Sequence, residues 1–147
     1  MYRHILIPTD GSPASAKAIK AGVALAKEMG ARVTGFHGVG ASTYGYYGEV
    51  MLIDERRYAQ AEHGFLAAGE QHVEQIAKAA RRAGVPFQPL VARTGATYQG
   101  ILDAARRRKC DVIFMASHGR RGLKSLLLGS VTQQVLTHSK IPVLVYR

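Results

Sequence analysis

Three groups of residues carry the chemistry this sequence could perform. They are Ser117-His118-Gly119, the cations Arg120, Arg121 and Lys124, and, after nine residues that follow Gly119, the pair Gly129-Ser130. Glycines let a ligand approach the backbone, and free amides at a helix start attract anions. Nearby cations offset phosphate charge. Together these residues have the parts of a phosphate cradle. A self-contained reading competes with it, because Ser130-Val131-Thr132-Gln133 fits the S-x-x-Q capping box, in which a helix satisfies its own end. Two familiar phosphate motifs are absent. A Walker A loop needs Gly directly before the Lys, where Leu123 stands. The dinucleotide fingerprint would follow the first strand, where the chain reads Pro8-Thr9-Asp10-Gly11-Ser12.

The elements that must position these residues alternate regularly. Val112-Ile113-Phe114-Met115-Ala116 is a continuous apolar run, as in a strand buried on both faces. A helix is predicted from Ser130 to about His138, then a strand over Pro142–Tyr146. At the other end, Ile5-Leu6-Ile7 forms a short strand ended by Pro8. Ser12-Pro13 starts a helix, with Ser as N-cap and Pro at the first helical position, and Gly30 stops it. Val33 to Val39 is the second strand. A Gly/Tyr-rich stretch from Gly40 to about Arg56 is long for a connection, and Tyr44, Tyr46 and Tyr47 within it could lie over a bound base or simply pack their own loop. A long helix through Leu66, Val73, Ile76 and Ala80 ends at Gly84-Pro86. Its His63 and His72 have no partner at metal-ligand spacing and read as surface histidines. The third strand is about Phe87 to Arg93, and a third helix runs from Thr94-Gly95-Ala96 through Ile101 to Arg106-Arg107-Arg108-Lys109.

Strand–helix alternation through five strands predicts an α/β fold, a parallel open sheet with helices on both faces. Pro89 decides between the two common strand orders. A strand that lacks a ladder donor belongs at a sheet edge, which selects 3-2-1-4-5 over 2-1-3-4-5. The order then reverses between strands 1 and 4, where such sheets bind ligands at the strands' carboxyl ends. Those ends are Pro8-Thr9-Asp10 and Ala116-Ser117-His118-Gly119.

At 147 residues the chain fits a single domain, residues 1–147, with enough length to bury a core. No apolar run approaches the ~20 residues of a membrane helix, and the N-terminus enters a strand without a signal-peptide core. A single Cys110 excludes an internal disulfide and is consistent with a reducing cytoplasm. The net charge of +10 favours anionic partners without naming one.

The chain resembles the universal stress proteins over its whole length, through ILIPTDGS, ASHGRRGLKSLLLGSV and the closing IPVLVYR. The nucleotide-binding branch of that family carries G-x2-G-x9-G-[ST], matched here by Gly119, Gly129 and Ser130, with Ala116 at the leading position. The resemblance implies a Rossmann-like α/β homodimer that binds ATP, with Mg2+, in stress responses, and holds the nucleotide rather than consuming it. Pro8, Thr9 and Asp10 would then sit by ribose and base, and the backbone of Gly38 and Val39 would meet adenine. Ala116, Gly119, Gly129, Ser130 and Val131 would hold ribose and phosphates, with His118, Arg120 and Thr132 as further candidate contacts.

Other functions are weighed against the same residues. A slow ATPase or nucleotide transferase would need metal ligands and a positioned nucleophile, and Asp10 is the only acid placed to help, so no catalytic residue is assigned. A phosphoacceptor domain is excluded, because Asp10 stands alone after strand 1 and Arg93-Thr94-Gly95 follows strand 3. Arg106 to Lys109 suit a helix C-terminus as solvated cations, so nucleic acid is not the expected partner, and a dimeric scaffold that binds nucleic acid through this basic face stands as the alternative. Strand 5, with Val143, Leu144 and Val145, is an apolar strand at a sheet edge and the expected dimer contact.

Overall fold

The computed structural model describes residues 1–40, 55–119 and 128–147, the side chains of Glu55 and Tyr58 excepted. The tyrosines of the Gly/Tyr-rich stretch, and Arg120, Arg121 and Lys124, lie outside the described residues.

The elements run β1 (His4–Pro8), α1 (Pro13–Met29), β2 (Arg32–Gly40), α2 (Glu55–Ala83), β3 (Phe87–Thr94), α3 (Thr97–Arg107), β4 (Val112–Ala116), α4 (Ser130–His138) and β5 (Val143–Tyr146). All four strand pairings are parallel, and the order is β3-β2-β1-β4-β5. Pro89 lies on the edge strand β3, opposite Gly35. The proline therefore reads as topology as well as local conformation.

Side-chain alternation splits the core into two layers. Ile5, Ile7, Val33, Val112 and Phe114 pack with Ile19, Val23 and Ile76 under α1 and α2. Leu6, Phe36, Ile113 and Met115 pack with Ile101, Ala105 and Val135 under α3 and α4. β1 and β4 are buried along their full lengths; apart from His4, both are apolar runs. Among the described residues, no helix is long and apolar enough to cross a membrane.

Helices α1, α2 and α3 end in the same device. In each, a residue with positive φ follows the last turn, and the next amide reaches back to close it: Ala31 to Ala26, Val85 to Ala80, Cys110 to Ala105. Two of the three positive-φ residues are Gly30 and Gly84; the third is Lys109, at φ 54°. The left-handed conformation costs an L-residue about 1 kcal/mol, so Lys109→Gly should stabilise the fold by about that much. A urea midpoint unchanged or lowered in the variant would contradict this.

Under α3, Cys110 is buried and its thiol is pushed up to about 11, chiefly by burial. The thiol therefore stays protonated at neutral pH. Nearby, His4 Nε2 lies 2.8 Å from Thr34 Oγ1. Burial first, and then the charge of Arg32, hold the His4 imidazole below its ordinary value of 6.5. Folded His4 resists a proton that the unfolded chain takes up below pH 6.5, so its contribution is complete above that pH and is lost as pH falls. Unfolding free energy should decline on acidification from about pH 6.5, and His4→Gln should flatten that slope. A slope equally steep in the variant would assign the acid sensitivity elsewhere.

Candidate functional site

The chain leaves β1 for α1 on one face of the sheet and leaves β4 for α4 on the other, so a crevice opens between the two neighbouring strand tips. Its first wall is tied down by side chains from the start of α1. Asp10 Oδ1 accepts from the Ser12 amide at 3.0 Å and from the Ser15 hydroxyl at 2.6 Å. Ser12 Oγ accepts from the Ser15 amide at 3.2 Å, and Thr9 Oγ1 from the Gly11 amide at 3.1 Å. Ser12 is the N-cap and Pro13 the first helical residue. Helix α1 thus caps itself, and an acid stands in front of it.

The opposite wall is built differently. The N-cap of α4 is Gly129, and among the described residues no side chain caps the helix. The capping box read from Ser130-x-x-Gln133 does not form, because Ser130 is already the first helical residue. The chain enters α4 one residue early: the Gly129 amide donates to the Ser117 carbonyl at 2.8 Å, and the Gln133 amide donates to the Gly129 carbonyl at 2.9 Å. A side chain at Gly129 would press on the His118 Cα at 3.1 Å. Beyond that glycine, no described side chain caps the amides of the first turn, and such a helix end is a ready anion site.

The two walls meet at Gly119, whose Cα sits against Asp10; any side chain there would overlap Asp10 Oδ2. His118 is exposed, with Nδ1 3.0 Å from Ser117 Oγ. The Ala116 side chain is packed in the cluster under α1 and α2, so its methyl lies within the core. Thr132 is turned inward: its buried hydroxyl donates to the Ala116 carbonyl at 3.0 Å and ties α4 to β4. Ser130 is exposed and Val131 packs against the cluster under α3 and α4. The candidate Arg120 lies outside the described residues.

The tip of β2 forms the floor beside β1. The β1–β2 ladder ends where the Thr9 amide donates to the Phe36 carbonyl at 2.9 Å. Backbone alternation turns Gly38, two residues on, toward the same side, past the end of β1. Val39 is turned toward β3 and buried. Pro8 and Thr9 are buried at the same tip. Sequence reasoning missed Ser15 and His37. His37 Nδ1 reaches the Thr9 carbonyl at 2.8 Å, and since a carbonyl only accepts, that nitrogen carries the proton. His72, read as a surface histidine, is half-buried. Its ring lies 5.0 Å from that of His37 and covers Gly11, at φ 76°, where a side chain would overlap it. Its position eighteen residues into α2 gives no local sign of this contact, which only the packing of α2 over β2 creates.

A family model described as the universal stress protein family matches residues 1–147. The chain belongs to the universal stress proteins. Universal stress protein MJ0531 of Methanocaldococcus jannaschii is 31% identical over 147 residues, all of this chain and 83% of the relative. The solved structure of MJ0577, another universal stress protein of that organism, superposes with a TM-score of 0.83 at 28% identity, over 99% of this chain and 95% of that one. A universal stress protein of Archaeoglobus fulgidus, solved in complex with dAMP, shares the fold at 17% identity, with a TM-score of 0.64 over 99% of this chain and 98% of its own.

Proposed function

We propose that this universal stress protein binds an adenine nucleotide, ATP with Mg2+, in the crevice between β1 and β4, and that occupancy regulates a homodimer in a reducing cytoplasm. The observation that carries the reading is the asymmetry of the two walls. An anion is repelled by Asp10 and attracted by the start of α4, where no described side chain caps the amides. A nucleotide supplies both ends: hydroxyl donors for the Asp10 carboxylate and phosphates for the amides after Gly129. The backbone of Gly38, facing past the end of β1, is placed to meet the edge of the base. Mg2+ binds largely through the phosphates it accompanies. Adenine is the base in the ligand-bound Archaeoglobus relative, which makes adenine nucleotides the first to try.

Equilibrium dialysis with ATP, ADP and GTP, with and without Mg2+, tests the reading directly. Saturable binding of ATP at one site per chain supports it; no retention at millimolar nucleotide overturns it. The half-buried edge strand β5, with Val143, Leu144 and Val145, is the surface proposed for dimerisation. A concentration-independent monomer in analytical ultracentrifugation would refute that part alone.

A further inference from the structure

Parallel strands put all their first residues at one end of the sheet, and the helices that run back between them deliver their last residues to the same end. In this chain that pole, opposite the crevice, collects cations from every layer. Arg3 and Arg32 stand at the starts of β1 and β2, joined by the Arg32 amide donating to the Arg3 carbonyl at 3.0 Å. Lys27 is in the last turn of α1, and Arg81 and Arg82 are in the last turn of α2. Helix α3 ends in Arg106 and Arg107, followed by Arg108 and Lys109. All are exposed.

Fewer acids answer them: Glu28 stands exposed beside Lys27 in the last turn of α1, with Glu74, Asp103 and Asp111 on the other elements. Among the described residues, the ion pairs at this end are Arg81–Glu74 and Arg106–Asp103. Asp111 is occupied by the backbone amides of Arg3 at 2.8 Å and His4 at 3.1 Å. Cations at helix C-termini commonly serve the dipole alone. That account covers one or two per helix and does not cover Lys109. Its φ of 54° occupies the position that α1 and α2 give to glycine, so the chain keeps a cation there against its backbone preference.

We propose that this basic pole binds the phosphodiester backbone of a nucleic-acid duplex, independently of base sequence. Most of its cations are arginines, whose planar fork pairs phosphate oxygens bidentately. The aromatic residues nearest the strand starts, Tyr2 and Phe87, are packed against the core rather than presented for stacking on single-stranded bases. The exposed large apolar residues described, Met1, Leu136 and Tyr146, are scattered over three segments and form no face to sink into a bilayer. The five strands, about 4.8 Å apart, give the pole a span of roughly 20 Å, enough for several successive phosphates.

Fluorescence anisotropy with a labelled DNA duplex of about 20 base pairs, its RNA counterpart and phosphatidylserine vesicles, at chloride from about 50 to 200 mM, tests this. Duplex affinity should fall steeply with salt. The triple variant R106Q/R107Q/R108Q should lower the log–log slope by roughly 3 and the affinity at least about tenfold. ATP retention should stay unchanged in it, so this proposal and the nucleotide reading fail separately. A control with equal charge loss elsewhere, K17Q/K20Q/R57Q, should keep the parent slope. Lys109→Gly should lose about one unit of slope while its Tm rises, a combination that general destabilisation cannot produce. Absence of duplex binding at about 50 mM salt, tighter binding to vesicles than to either duplex, or equal losses in the triple variant and the control would each overturn the proposal.

Discussion

Valine in place of Gly119 should weaken ATP binding by about a hundredfold or more, a loss of roughly 3 kcal/mol, while leaving the fold largely intact. The first carbon of any side chain at this position overlaps Asp10 Oδ2. Asp10 has no easy retreat, because its other oxygen is held by Ser15 Oγ at 2.6 Å and the Ser12 amide at 3.0 Å. Relief must come from moving the loop after β4 away from the α1 side, which opens the distance between the acid and the amides of α4. Those two walls must contact one ligand together, so the penalty falls on binding. Alanine should do nearly as much damage, since the collision begins at Cβ. Dialysis of wild type, Gly119→Ala and Gly119→Val against ATP checks this. Equal affinity in all three would show that the nucleotide lies elsewhere.

The strand order was legible in the sequence because its determinant is local. Pro89 lacks a ladder donor and so belongs at an edge of a parallel sheet, where β3 stands. The glycines of the crevice were legible for the same reason. Contacts made only through tertiary packing were not. The S-x-x-Q pattern at Ser130 is a valid local signal, but the Ser117 carbonyl captures the Gly129 amide and shifts the helix start by one residue. Thr132 matched a binding position by its place in the motif, yet the carbonyl of Ala116 takes its hydroxyl. His37 and His72 approach each other only when α2 lies over β2, where Gly69 leaves room for the His37 ring. The basic pole shows the same limit at larger scale. Arg106 to Lys109 read as one helix end until the fold brings them to the same end of the sheet as the last turns of α1 and α2.

Phe36→Ala should cost about 3–5 kcal/mol of stability, a large share of the roughly 5–15 kcal/mol that holds such a domain folded. Phe36 is 1% exposed and central to the layer under α3 and α4, among Leu6, Ile101, Ile113, Met115 and Val135. Gly100 of α3 approaches so closely that a side chain there would stand 3.3 Å from the ring's far edge, so the helix already lies as near the sheet as the ring allows. Truncation therefore leaves a cavity that the backbone is poorly able to close. Phe36→Leu, which keeps most of the volume, should cost far less, about 1–1.5 kcal/mol. Urea titrations should show lower midpoints with unchanged m-values. The consequence for the crevice follows from the backbone of the same residue. The Phe36 carbonyl accepts from the Thr9 amide at 2.9 Å, the last rung before β2 runs on to Gly38. Loosening the ring beneath that rung should blur the register between Thr9 and Gly38, so ATP should bind the folded variant more weakly. Ligand should also recover part of the lost midpoint, because whatever binds only the native state stabilises it by mass action. A Phe36→Ala stability within about 1 kcal/mol of wild type would mean that the layer under α3 closes around the gap, and that β2 is held chiefly from its other face, by α1 and α2.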